Sequence, residues 1–346
     1  MQSSQLLLRT KSVNCPSLNE LPAPPSGRTG WPWTEESARL PGETALARSL
    51  PVVSVITPSY NQGNYLEETI RSVLLQGYPK LEYIVLDGGS QDRSLEILKK
   101  YSPWLSYWVS EPDGGQSDAI NRGLNKAAGE FATWINSDDL LCKNALSSHA
   151  TQVGFDCNTV YVGYCVYIDH KSEPLSLHRG RVESLEDLVR IQRVWRSRPD
   201  PGHIVQPEVL FPRELALSFG GVNPDNHFTM DYELWGNFFL AGARFQYTDV
   251  SFGMFREHSD QKTFNVTRQT RSLLKTAGEL VMRAKGFHQD TTNEILAELE
   301  AYGLQYEKEY WQGSGRLAKL GLPPALITPL RRLKKFVQSA VTCRSL

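Results

Sequence analysis

The feature that most constrains this chain is an abrupt change of pattern at Pro51. From there short apolar runs of strand character alternate with segments of helical periodicity. The run Val52-Val53-Ser54-Val55-Ile56 reads as a buried strand. The next segment reads as a helix capped by Asn64, with Glu67 three residues on and Leu66, Ile70, Val73 and Leu74 on one face; Gly77 and Pro79 end it. Leu81 to Leu86 reads as a second strand, Ser94 to Tyr101 as a helix with Asp92 as its cap, and Tyr107 to Ser110 as a third strand. Gln116 to Ala128 reads as a helix and Phe131 to Ile135 as a fourth strand. Repeated strand-helix-strand units predict an α/β fold with a mostly parallel sheet flanked by helices and right-handed crossovers. In such sheets ligands sit beyond the carboxyl ends of the strands.

Residues 1–50 do not follow this pattern. Pro16, Pro22, Pro24, Pro25, Pro32 and Pro41 resist helix and sheet alike, so the segment is expected to be an arm. Within it Gly30-Trp31-Pro32-Trp33 is expected to start a short helix whose tryptophans dock on the body. After residue 150 the signals weaken to a strand at Val160 to Ile168 and a loop-rich stretch through Pro212. Helical periodicity returns at Asp231 to Leu240 and dominates from Arg268. The expected division is thus an arm over 1–50, a catalytic domain over 51–265 with its halves meeting near 150, and a helical C-terminal extension over 266–346.

Charge and cysteine content narrow the class. Lys plus Arg number 37 against 38 Asp plus Glu, a net charge of −1 with 40% hydrophobic residues, which excludes a disordered chain and a nucleic-acid-binding polycation. Five scattered cysteines without a C-x-x-C spacing encode neither a disulfide framework nor a thiolate zinc site. No apolar run approaches membrane-spanning length, and Leu6-Leu7-Leu8 is too short for a signal-peptide core, so a cytoplasmic protein is expected.

Polar residues collect behind the strand ends. Asp138-Asp139 directly follows an apolar strand and is preceded by Asn136. Two adjacent carboxylates need a counter-charge, and oxygen ligands suit a hard divalent ion, Mg²⁺ or Mn²⁺, whose remaining ligands a nucleotide diphosphate supplies. Standing alone, such a pair is more often a helix cap. Asp87, followed by Gly88-Gly89, suits a base imino group or a ribose hydroxyl, or equally a turn carboxylate bonding its own backbone. Thr57-Pro58-Ser59-Tyr60-Asn61 offers a stiff proline, an aromatic face and small hydroxyls to a nucleobase edge.

The order Thr57-Pro58-Ser59-Tyr60-Asn61, Asp87-Gly88-Gly89-Ser90-Gln91-Asp92, Ala119-Ile120-Asn121-Arg122-Gly123 and Asn136-Ser137-Asp138-Asp139 resembles glycosyltransferase family 2, over residues 51–150 and less sharply to 260. The resemblance implies a GT-A fold and an inverting transfer from a nucleotide-diphospho-sugar to a saccharide or lipid-linked acceptor, in cell-surface polysaccharide or glycolipid synthesis. It implies that Thr57, Pro58, Ser59, Tyr60, Asn61, Asp87, Asn121 and Asn136 hold the nucleotide. Asn136 to Asp138 then stand where the family has Asp-x-Asp, with Asn in the first position, so Asp138 is expected as principal metal ligand and Asp139 as second. Asp231, with Met230 where the family has Glu, is the implied catalytic base, which the helix dipole should keep ionised; Glu233 is the fallback. His258 is similar to a late histidine that meets the metal or diphosphate. His203, Gln206 and Glu208 fall where the family lines the acceptor side.

Beyond Glu309 every charged residue is basic, and Leu326, Leu330, Leu333, Val337 and Val341 recur at helical spacing. Such a helix either lies on an anionic bilayer as a peripheral contact or packs on the protein. Two rival functions differ in class. A dinucleotide-dependent oxidoreductase lacks its G-x-G-x-x-G after the first strand. A catalytically silent sugar-nucleotide or glycan-binding protein is the alternative that Asn136 and Met230 keep open.

Overall fold

The structure is a computed structural model and describes residues 15–41, 44–191, 202–258, 261–262 and 266–318. The basic tail beyond Ala318 and Leu6 to Leu8 lie outside the described residues. The chain divides into two compact units at Gly286 and Phe287.

Among the described residues the first unit is built on a sheet of nine strands: β1 (Val53–Ser59), β2 (Leu81–Asp87), β3 (Tyr107–Ser110), β4 (Phe131–Trp134), β5 (Leu140–Leu141), β6 (Thr159–Ile168), β7 (Pro174–His178), β8 (Val209–Pro212) and β9 (Arg244–Arg256). Their order is β3-β2-β1-β4-β8-β6-β9-β5, with β7 beside β6. The helices are α1 (Ala45–Ser49), α2 (Leu66–Leu74), α3 (Ser94–Tyr101), α4 (Gln116–Lys126), α5 (Ala145–Gln152), α6 (Leu185–Val189), α7 (Arg213–Leu217), α8 (Met230–Leu240) and α9 (Val266–Arg283). The second unit contains α10 (Gln289–Ala318).

The first half of the sheet has the expected parallel order, with β1 between β2 and β4. Continuous apolar runs form strands buried on both faces there, as parallel sheets require; β1 and β2 are buried along their whole length. The second half mixes directions, with β8 antiparallel to β4 and β6 but β6 parallel to β9. One apolar core spans α2, β1, β2, α3, α5 and β9. An aromatic cluster of Trp134, Phe211, Trp235 and Phe238, with ring centroids 5.6–5.9 Å apart, holds α8 against β4 and β8.

Three local expectations need correction. Asn64 does not cap α2; Tyr65 stands at that position, and Gln62 accepts the backbone N–H groups of Tyr65 and Leu66. Asp92 lies one residue before the N-cap position of α3, although its carboxylate still takes the Ser94 N–H at 2.9 Å. The Trp31 segment makes a single turn and no helix. Its Pro32 and Trp33 carbonyls, which would accept the next helical N–H groups, accept instead from the buried Arg71 guanidinium at 3.1 and 3.0 Å. The tryptophans do dock: Trp33 is buried, and the Trp31 indole donates to the Leu141 carbonyl at 2.9 Å. The polar face of α2 is thereby covered, and all nine of its residues are buried.

Candidate active site

The parallel register sets Ser59, Asp87 and Ser110 in one row across the carboxyl ends of β1, β2 and β3. Asp87 is buried, and its carboxylate accepts from the Ser90 N–H (2.9 Å), the Ser90 hydroxyl (2.5 Å) and the Ser110 hydroxyl (2.7 Å). Asn61 laces the first loop to the second: its N–H donates to Ser90 Oγ at 2.7 Å and its Oδ1 accepts the Gln91 N–H at 2.9 Å. Thr57 and Pro58 are buried inside the sheet, with the Thr57 hydroxyl bonded to the Tyr83 hydroxyl at 3.1 Å. Of this segment Tyr60 reaches solvent, 61% exposed, and the buried Ser59 hydroxyl has no partner among the described residues. Gly89, at φ 80°, uses its freedom against the protein, because a Cβ there would stand 3.1 Å from the Pro112 nitrogen.

Behind β4, residues Asn136 to Asp139 form a tight turn closed by the Asp139 N–H on the Asn136 carbonyl at 3.0 Å. The Asp138 carboxylate lies 3.0 Å from His258 Nε2. Asp139 is buried, with Oδ1 accepting the Arg256 N–H at 2.9 Å and Oδ2 accepting from the Asn136 amide at 3.0 Å. Burial, then the Asp138 charge, pushes the Asp139 carboxyl well above the usual carboxylate range. The amide at position 136 now has a physical reason. It donates to Asp139 and accepts from Gln116 Nε2 at 2.9 Å, whereas a carboxylate could still accept from Gln116 but would add a further acid and could not donate to Asp139.

The base candidate opens α8. Asp231 is half-buried, its Oδ1 accepting the Tyr232 N–H at 2.8 Å. Burial raises its carboxyl above the ordinary value, while the Lys262 charge pulls the other way. The helix dipole expected to keep it ionised is therefore outweighed by desolvation. Lys262 Nζ lies 3.4 Å from Gln116 Oε1, and Gln116 Nε2 donates to Asn136 Oδ1 at 2.9 Å. Met230 accepts the Ser117 hydroxyl on its sulfur at 2.9 Å. Glu233 is occupied by the amides of Asn223 (3.1 Å) and Asn226 (2.8 Å).

Asn121 is not brought to this cleft. Its amide clasps both backbone groups of Val222, each at 2.8 Å, and a Cβ on Gly221 (φ 85°) would stand 2.1 Å from its Oδ1. Gln206 donates to the Trp134 carbonyl at 2.5 Å, and its Oε1 lies 3.5 Å from the Asn136 amide nitrogen of the turn. Glu208 is buried, accepts the Val205 N–H at 2.8 Å, and has its carboxyl raised well above the usual range by burial. The His203 ring lies 5.1 Å from that of His178 in a tilted arrangement, and burial holds its imidazole down at about 3.

Sequence reasoning passed over the residues that hold the turn from beneath. Thr69 of α2 donates to the Ser137 and Asp139 carbonyls at 2.9 and 2.8 Å. Arg256, at the end of β9, donates to the Asp138 carbonyl at 2.7 Å and pairs with buried Glu68 at 3.1 Å. The available signal was a charged residue directly after Met254-Phe255 and two positions before His258.

Comparison with known proteins bears on the family and the fold. The family model described as glycosyl transferase family 2 matches residues 54–209. An uncharacterized glycosyltransferase of Rickettsia typhi is 31% identical over 199 residues, 56% of this chain, and the chain spans 60% of that relative's length. The putative teichuronic acid biosynthesis glycosyltransferase TuaG of Bacillus subtilis is 30% identical over 177 residues, covering 48% of this chain and 70% of TuaG. Among solved structures, S. aureus TarS superposes with a TM-score of 0.54 at 18% identity, covering 74% of this chain and 73% of that one. The mannosyltransferase PcManGT of Pyrobaculum calidifontis gives 0.50 at 20% identity, covering 83% and 80%. These two likenesses concern the fold, which is that of GT-A glycosyltransferases. Taken together, these matches show that the chain belongs to glycosyltransferase family 2.

Proposed function

We propose that this chain transfers a sugar, with inversion, from a nucleotide-diphospho-sugar to an acceptor hydroxyl, aided by a divalent cation. The observation that carries the reading is the approach of the Asp138 carboxylate to His258 Nε2 at 3.0 Å on the rim beside the nucleotide loops. That separation is about the edge of an octahedron with metal bonds of roughly 2.1 Å. No group of three His, Cys, Asp or Glu converges among the described residues, so the diphosphate and water would complete the set. A carboxylate with an imidazole favours Mn²⁺ over Mg²⁺, which prefers oxygen alone. Asp138 and His258 would hold the ion, and Asp139 would serve the turn. When bound, the cation supplies positive charge to the leaving diphosphate.

The protein's own groups do the rest. Tyr60 and the Ser59 hydroxyl would meet the nucleotide, on loops fixed by Asp87 and Asn61. Asp231 would take the acceptor proton while the acceptor oxygen bonds the anomeric carbon and the bond to the diphosphate breaks on the opposite face. A carboxyl raised by burial is a stronger base than a solvated one, which suits that task. The neighbours support a nucleotide-sugar donor, since TarS has been solved with UDP-GlcNAc and PcManGT with GDP-Man and Mn²⁺. The name of TuaG supports a role in cell-surface polysaccharide synthesis.

A thermal-shift screen of UDP-, GDP- and dTDP-sugars with Mn²⁺, followed by an assay of slow donor hydrolysis, tests the reading. One nucleotide class should protect, and Asp138→Ala should abolish metal-dependent hydrolysis. Protection with no hydrolysis or transfer in any combination would make the chain a binding protein.

A further inference from the structure

We infer that Arg256 is the positioning residue that sets Asp138 and His258 at the spacing needed to capture the cation. This rests on the role proposed above for those two residues.

Arg256 is fully buried and bonds to the turn after β4, to α2 and to the hairpin after β6. Its Nε donates to the Asp138 carbonyl at 2.7 Å, and its backbone N–H donates to Asp139 Oδ1 at 2.9 Å, so one residue grips the turn by both side chain and main chain. Its Nη2 pairs with Glu68 of α2 at 3.1 Å. Its Nη1 donates to the Asp169 carbonyl at 3.2 Å and to Ser172 Oγ at 2.8 Å, in the hairpin between β6 and β7. The Ser172 hydroxyl donates in turn to the second Glu68 oxygen at 2.6 Å, which closes a buried ring of charge-assisted bonds.

The same guanidinium reaches the other half of the pair through an aromatic spacer. It lies 4.8 Å from the centre of the Tyr65 ring, and that ring lies 4.9 Å from the His258 imidazole. His258 also follows Arg256 by two residues, so the end of β9 fixes its starting point. Both donors are thereby referenced to one planar group held at four of its N–H directions. A lysine cannot reproduce this, because its point charge satisfies Glu68 without the fork that reaches the Asp138 carbonyl. Residues behind metal ligands commonly govern affinity through such orientation.

The test is Mn²⁺ binding followed by electron paramagnetic resonance, with UDP and, separately, GDP present, on wild type, Asp138→Ala, Arg256→Lys and Tyr65→Leu. Arg256→Lys should weaken Mn²⁺ binding about tenfold or more, with nucleotide binding in the absence of metal unchanged. Tyr65→Leu, which leaves the Glu68 pair intact, should weaken it in the same direction, and it decides the matter if Arg256→Lys does not fold. A folded Arg256→Lys, or in its absence a folded Tyr65→Leu, that binds Mn²⁺ like wild type would overturn the inference. If Asp138→Ala alone loses the ion, only this inference fails. If wild type binds no Mn²⁺ with either nucleotide, the metal reading falls with it.

Discussion

Replacing Arg71 by Met should release the N-terminal arm. The guanidinium is fully buried and donates to the Pro32, Trp33 and Pro22 carbonyls at 3.1, 3.0 and 2.8 Å and to the Tyr101 hydroxyl at 3.1 Å. It also lies 5.4 Å from the Trp33 ring centre. A hydrogen bond to a charged group contributes roughly 1.5–3 kcal/mol, so the three carbonyls set a ceiling of roughly 5–9 kcal/mol. Methionine keeps the apolar stem and removes the cost of burying a charge, which leaves a net loss of roughly 3–5 kcal/mol. For a unit of this size that lowers Tm by roughly 6–12 °C. Thermal melts read the shift, and limited trypsin digestion should cut faster after the exposed Arg28 and Arg39 once the carbonyls let go. Arg71→Lys, able to satisfy fewer carbonyls, should fall between. A Tm within about 2 °C of wild type, with unchanged cleavage, would refute the idea that this one side chain clamps the arm.

Two further outcomes follow from the site. Asp231→Asn should lower turnover by about 10²–10⁴-fold, and the acidic limb of the wild-type rate profile should lie above the ordinary carboxylate range, with activity lost as pH falls through the raised value. Because the folded carboxyl binds its proton more tightly than the unfolded one, stability declines as pH rises from the unfolded toward the folded value; the amide escapes that decline, so at neutral pH the variant should melt no lower than wild type. Gly221→Ala places a Cβ 2.1 Å from Asn121 Oδ1 at a φ of 85°, and should destabilise by roughly 1–3 kcal/mol in chemical denaturation; an unchanged midpoint would mean the Asn121 clasp is dispensable.

The parallel half of the sheet was legible because its strands are largely apolar runs whose ends carry polar motifs. Its second half was not. The thirteen residues of β9 mix exposed and buried positions, and the register against β6 shifts near Gly163, so neither a clean alternation nor a continuous apolar run marks the strand. β7 is exposed along nearly its whole length and reads as loop. Within the site, the sequence presents Asp138 and Asp139 as an equivalent pair, yet their different hydrogen-bond partners depend on Arg256, more than a hundred residues away in sequence. In the sequence Asn136 only keeps a silent binding protein open as an alternative; its bonds to Gln116 and Asp139 become visible in the fold. The arm was foreseen as proline-rich, but its docking is decided by an arginine inside a helix that had been read as amphipathic.

The most direct measurement is the anomalous diffraction signal of Mn²⁺ in crystals grown with a nucleoside diphosphate. The account predicts a peak about 2.1–2.3 Å from an Asp138 oxygen and from His258 Nε2, with diphosphate oxygens completing the shell and Asp139 still bonded inward. A nucleotide bound with the Asp138–His258 hydrogen bond intact, and manganese elsewhere or absent, would contradict it.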